Sequence, residues 1–168
     1  MTGVFVAAGS NVEPVANLCR ALDGLRRHYP RLRCSPAYRN RAAGFAGDDF
    51  VNLVIAFDTD ERLGEVIGRL QDVEADCGRA RDAPRWAPRS MDLDILLFGD
   101  LVHEEAGLVL PRPDLLRRAY MLGPMADLAP ELVHPVLGRT MRELWAAFDR
   151  AAHELHPVDL GWRGGGAG

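Results

Sequence analysis

Apolar and polar positions divide this chain into alternating strand and helix patterns. Val4, Phe5 and Val6 form a short apolar strand ending in a turn at Gly9-Ser10-Asn11, and Val15, Leu18, Leu22, Leu25 and Tyr29 then recur at helical spacing. Arg33–Tyr38 and Phe50–Asp58 read as two strands, separated by a Gly-containing loop at Asn40–Asp49 that is long for a hairpin. After Asp60, a good N-cap, Leu63, Val66, Ile67, Leu70, Val73 and Cys77 repeat every three or four residues up to Gly78, predicting a second amphipathic helix with a glycine stop. A polar loop rich in arginine and proline runs from Arg79 to Ser90, and Met91–Phe98 alternates as a strand before Gly99-Asp100 turns it. Two further helices are expected, near Asp114–Leu128 and from Thr140, where Thr140-x-x-Glu143 makes a capping box.

The predicted order is therefore βαββαβ with extra C-terminal helices. This is an α+β, ferredoxin-like arrangement in which helices pack on one face of a mostly antiparallel sheet. At 168 residues the chain suits one domain, with residues 1–160 as its body and Gly161–Gly168 as a disordered tail. No apolar run approaches the ~20 residues of a membrane span, and the first residues lack the charged-then-apolar order of a signal peptide, so a cytoplasmic location and no membrane partner are expected. Cys19, Cys34 and Cys77 are widely spaced with no CxxC, which reads as structural thiols.

Charge narrows the chemistry. The net charge of −4 argues against a general nucleic-acid binder, whose affinity comes from a basic surface. All 20 basic residues are arginine, which excludes Schiff-base chemistry and a P-loop lysine, so any phosphate chemistry must run on guanidinium groups. Asp92 and Asp94 are two apart on a strand and so share a face, while Met91, Leu93 and Ile95 point into the core. Arg79, Arg81, Arg85 and Arg89 lie just upstream, and the planar guanidinium fork suits phosphate oxygens. Carboxylates that can hold Mg²⁺ beside an arginine-rich loop suggest phosphoryl transfer from a nucleotide. The Asp pair alone fits a solvated strand edge equally well. The histidines His28, His103, His134, His153 and His156 show neither metal spacing nor a paired nucleophile.

The stretch Arg85-Trp86-Ala87-Pro88-Arg89-Ser90-Met91-Asp92-Leu93-Asp94-Ile95-Leu96 resembles the signature of the 6-hydroxymethyl-7,8-dihydropterin pyrophosphokinases of folate biosynthesis. The resemblance extends through Gly9–Asn11, Ser35–Asn40, Phe50–Asn52, Gln71–Arg81 and Leu110–Leu132. It implies a ferredoxin-like fold and transfer of the β,γ-pyrophosphate of ATP to the pterin's hydroxymethyl group, releasing AMP. It further implies a catalytic set of Arg79, Arg89, Asp92 and Asp94, with Asp92 and Asp94 holding two Mg²⁺ ions. ATP would contact Gln71, Trp86, Arg89, Ile95, Arg112 and Arg118, with Trp86 in a mobile loop that seals the site. The pterin would meet Ala43, Asn52 and the rings of Phe50 and Tyr120. On residue type alone, Phe50 and Tyr120 are better explained by core packing. The partners implied are two small molecules acting on a monomer.

The chain departs from the family pattern at three places. Pro111-Arg112-Pro113 stands where the family usually has Pro-His-Pro, Asn40-Arg41-Ala42-Ala43-Gly44 replaces a Thr-Pro-containing turn, and Val109 offers no side-chain hydrogen bond on the adenine side. Two alternatives follow: a divergent paralogue that acts on, or only binds, a modified pterin, and a non-catalytic ferredoxin-like module for RNA. The acidic charge and the lack of an aromatic strand motif count against the second alternative.

Overall fold

The apolar run at the start of the chain becomes β1 (Thr2–Ser10), and its burial on both faces explains why it reads as continuous rather than alternating. Val4, Val6 and Ala8 face one core, and Phe5 and Ala7 face another. The structure is a computed structural model describing residues 1–40, 49–78, 91–105, 107–151 and 153–163. Its main sheet runs β5 (Asp92–Phe98), β1, β4 (Phe50–Thr59), β3 (Ala37–Asn40), β8 (His156–Val158), with β2 (Arg33–Cys34) also pairing β4. Every adjacent pair is antiparallel.

Helices α1 (Pro14–His28) and α2 (Leu63–Asp76) bury Leu18, Leu22, Leu25, Val66, Leu70 and Val73 against the first face. Tyr29, which ends α1, stacks on Phe57 with ring centroids 3.8 Å apart. The expectation of helices on one face is corrected: α3 (Ala119–Leu128) and α4 (Met141–Ala147) cover the other. Met121, Leu122, Met125, Met141 and Leu144 pack there on Phe5, Val54, Ala56 and Leu96. A sheet buried on both sides needs two apolar sets on every central strand, and β1 and β4 supply them.

Several local expectations are corrected. Gly9 and Ser10 continue β1 rather than turn it. The strand expected over Arg33–Tyr38 is interrupted at Ser35-Pro36, where the Ser35 hydroxyl accepts the Val54 N–H at 2.9 Å in place of a regular ladder. Helix α2 is capped by Arg62, whereas Asp60 pairs with the terminal amine at 3.5 Å. The helix expected from Asp114 begins with a 3₁₀ turn, Pro113–Leu116, and becomes α-helical at Ala119. The hairpin β6 (His103–Glu105) with β7 (Leu108–Leu110), and strand β8, were not predicted. Gly161–Arg163 belong to the fold: the Trp162 indole N–H donates to Asp23 Oδ1 at 2.9 Å and lies under the Arg26 guanidinium. No helix among the described residues is long and apolar enough to cross a membrane. The three cysteines are free thiols, and burial pushes each thiol pKa up, away from nucleophilic thiolate.

Candidate active site

Three strands meet at Gly9. Its register partners are Asn52 on β4 and Asp92 on β5, so an amide, a hydrogen atom and a carboxylate stand side by side across the sheet. Two residues along β1 the same face carries Val54, Ala7 and Asp94. Because β1 presents only Ala7 and Gly9 here, a cleft of about 220 Å³ opens over it, beside the start of α3. Its walls are Asn40, Phe50, Asn52, Asp92, Asp94, Tyr120 and Met121. Amide and carboxylate lie two strand spacings apart, roughly 9–10 Å, which makes the cleft polar in two different senses at its two ends.

The small residues are required there. A Cβ built on Gly9 would fall 2.3 Å from Asn52 Oδ1, so any larger residue would push the amide away. Asn52 is only 7% exposed, and its amide N–H donates to Asn40 Oδ1, which fixes the side chain's orientation. Neighbouring Tyr38, paired with Asn52 in register, donates its hydroxyl to Asp127 and ties β3 to α3. Burial and that hydrogen bond push the Tyr38 phenol up to about 12. Burial also raises the Tyr120 phenol, with Arg118, Asp114, Asp94 and Arg112 acting on it electrostatically, so Tyr120 stays neutral at physiological pH.

At the carboxylate end, Met91, Leu93 and Ile95 are buried in the first core, as the alternation predicts, and Asp92 and Asp94 face the cleft. The Leu93 N–H between them donates to Glu74 Oε2 at 3.2 Å, which tethers this stretch of β5 to α2. Arg112, 30% exposed, places Nη1 3.8 Å from Asp94 Oδ1 and Nε 3.8 Å from Asp114 Oδ2. Among the described residues no group of three or more His, Cys, Asp or Glu side chains is placed to hold a metal. The two aspartates suit Mg²⁺, a hard cation that takes one or two carboxylates and completes its shell with phosphate oxygens and water.

Phe50, Asn52, Asp92, Asp94 and Tyr120, expected as site residues, thus line one cleft, and Arg112 joins them through Asp94. Arg118 is exposed at the N-cap of α3, two residues from Tyr120. Two other residues expected against ATP lie outside the cleft walls. The Ile95 side chain is 4% exposed within the core, so only its backbone can meet a ligand. Gln71 is exposed on α2 and is not among the cleft-lining residues. Ala43, Arg79, Arg81, Arg85, Trp86 and Arg89 lie outside the described residues. Sequence reasoning passed over Ala7, Gly9, Asn40 and Asp114. Small residues at alternate positions near the end of an apolar strand were the available signal for the first two.

Comparison with known proteins places this geometry. The family model described as 7,8-dihydro-6-hydroxymethylpterin-pyrophosphokinase (HPPK) matches residues 5–130. The 2-amino-4-hydroxy-6-hydroxymethyldihydropteridine pyrophosphokinase of Pseudomonas aeruginosa is 43% identical over 149 residues, covering 86% of this chain and 90% of its own. The protein of the same name from Synechocystis is 33% identical, covering 98% of this chain and 85% of its own. A solved HPPK-DHPS chain of Plasmodium falciparum superposes with TM-score 0.67 at 15% identity over 86% of this chain, which spans 43% of that one, and it supports the fold. With three quarters of its length matched by the family model, a relative 43% identical and the same fold, the chain belongs to the 7,8-dihydro-6-hydroxymethylpterin-pyrophosphokinase family.

Proposed function

We propose that the protein transfers the β,γ-pyrophosphate of ATP to the hydroxymethyl group of 6-hydroxymethyl-7,8-dihydropterin, giving AMP and the pterin diphosphate for folate biosynthesis. The observation that carries the reading is the placement of Asn52 and Asp92 on either side of Gly9. A flat ring held at the amide end by Asn52, between Phe50 and Tyr120, directs its substituent toward the carboxylates. The amide both donates and accepts, which matches a pterin edge.

In the transfer, the hydroxymethyl oxygen bonds to the β-phosphorus, the β-phosphorus bond to the α,β-bridging oxygen breaks, AMP leaves with that oxygen, and the hydroxyl proton is lost. Two Mg²⁺ ions, held by Asp92 and Asp94, would neutralise triphosphate charge and favour the ionised attacking oxygen. By similarity, Arg79 and Arg89 bind phosphate and offset charge in the transition state, Trp86 contributes to ATP binding, Ala43 to pterin binding, and Arg112 and Arg118 serve the triphosphate. Asn52, fixed by Asn40, orients the ring, and Asp92 and Asp94 set where the phosphates can approach it.

The reading takes the protein as a monomer acting on two small molecules, ATP and the pterin. The decisive experiment is a coupled assay for AMP formation from ATP, Mg²⁺ and 6-hydroxymethyl-7,8-dihydropterin. AMP and the pterin diphosphate in equal amounts are expected. No AMP at saturating substrate would refute the reading, and AMP only with a modified pterin would identify a divergent paralogue.

A further inference from the structure

Arg112 is held in an unusual electrostatic position. Its backbone N–H donates to Leu96 O at 2.9 Å, which sets the segment against β5 and aims the side chain at the carboxylate end of the cleft. The guanidinium then lies between two acids, 3.8 Å from Asp94 and 3.8 Å from Asp114. Both distances are ion-pair rather than hydrogen-bond lengths, and Nε is buried without a hydrogen-bond partner among the described atoms. Buried N–H donors of a charged group are normally bonded, so this one is left ready for an additional acceptor.

We propose that Arg112 occupies the Asp94 side of the cation site when no nucleotide is bound and leaves it for the triphosphate, so that divalent-cation binding and nucleotide binding are coupled through this one side chain. The inference rests on the proposed function, because it takes Asp94 as a cation ligand. A cation approaching Asp94 without nucleotide meets a fixed positive charge beside the ligand oxygen, and Coulomb repulsion at that range weakens it. A triphosphate brings several negative charges and planar arrays of oxygens that satisfy the guanidinium, Nε included, and frees Asp94 for the metal. Asp114 supplies the alternative anchor that keeps Arg112 from committing wholly to Asp94. A neutral imidazole, usual in the family at this position, would not impose this competition above its pKa.

The test uses Mn²⁺ as the probe, with free Mn²⁺ followed by electron paramagnetic resonance in the full chain without nucleotide or pterin. Arg112→Gln and, above neutral pH, Arg112→His are expected to tighten Mn²⁺ binding about tenfold. Asp114→Asn is expected to weaken it, since the arginine then turns to Asp94. Adding α,β-methylene-ATP, which resists cleavage at the reacting bond, should tighten Mn²⁺ binding more in the wild type than in Arg112→Gln, as linkage requires. A merely structural arginine would give the opposite pattern, with both substitutions at Arg112 loosening the site and lowering the melting temperature. Unchanged or weaker Mn²⁺ binding in Arg112→Gln overturns the inference. If the wild type nevertheless forms AMP, the proposed function survives that result; a wild type that forms none refutes the function whatever the Mn²⁺ titration shows.

Discussion

At the scale of single residues, the cleft depends on what is missing from β1 as much as on what its neighbours present. Gly9→Ala inserts a carbon 2.3 Å from Asn52 Oδ1 and is expected to lower pterin affinity about tenfold while ATP affinity barely changes. Isothermal titration with each ligand separates the two, and equal loss of both would return Gly9 to a structural role. Asn52→Ala leaves a pterin polar edge unpaired and is expected to cost about 1–3 kcal/mol of pterin binding, again without effect on ATP. Tyr120→Ala should follow the same pattern through lost stacking. If Phe50, Asn52 and Tyr120 only filled the core, thermal unfolding would fall and both ligands would suffer together. At the other end, Asp92→Ala and Asp94→Ala are each expected to remove most turnover with an unchanged fold by circular dichroism, because half-exposed carboxylates contribute little to packing. Near-normal turnover in both would dismiss the cation site. These residues differ in how legible they were. Asp92 and Asp94 share a face by the two-residue period of a strand, which any sequence shows, whereas the function of Gly9 is a distance to a side chain 43 positions away.

Elements tell a related story, since some contain their own instructions and others borrow them. Helix α4 carries its start signal: Thr140 Oγ1 accepts the Glu143 N–H at 3.1 Å, and Glu143 Oε1 accepts the Thr140 N–H at 3.2 Å. Thr140→Ala is expected to cost about 1 kcal/mol, lowering the melting temperature by about 2–4 °C with turnover unchanged, because α4 is remote from the cleft. No shift in calorimetric melting would show that the reciprocal bonds contribute nothing. Strands β6, β7 and β8 have three residues each, too few for a period to register, and β8 exists only because β3 offers it an edge. The break between β2 and β3 was legible in principle at Ser35-Pro36, since proline cannot donate to a ladder.

Across the whole molecule, the two helical layers divide the work. One layer, α1 with α2, closes a core that contains no cleft residue other than Ala8, while the second layer brings Tyr120 and Met121 over β1 and so completes the site. Stability and catalysis are therefore perturbed at different places. His134 illustrates the first. It is 4% exposed, and its Nδ1 accepts the N–H groups of Val136 and Leu137 at 3.2 and 3.1 Å, so that nitrogen must be unprotonated in the folded chain. Burial lowers its pKa from the ordinary 6.5. The unfolded chain then binds more protons than the folded one between the lowered value and 6.5, so stability rises with pH through that window. The contribution is complete above pH 6.5 and is lost as pH falls through the folded value. His134→Asn keeps an acceptor near the same place, and denaturant titrations of it should show a flatter pH dependence below 6.5 than the wild type. An unchanged slope would mean that other groups carry the acid sensitivity.

What the sequence determined by itself is what short-range geometry determines: the amphipathic periods of α1 and α2, the capping box of α4, the common face of Asp92 and Asp94, and, through a long shared signature, the family. Each depends on residues within a few positions of one another, where 3.6- and 2-residue periods are enforced by the backbone. Tertiary structure decided the rest. It set Asn52 and Asp92 on either side of Gly9, turned Asn40 onto Asn52, brought Arg112 to Asp94, and chose a cleft rather than a core for Phe50 and Tyr120. It also withdrew the Ile95 side chain into the core and left Gln71 exposed on α2. Residue type cannot distinguish an aromatic that fills a core from one that walls a cleft. The difference lies in whether neighbouring side chains fill the space beside the ring, and here the small residues Ala7 and Gly9 of β1 leave it open.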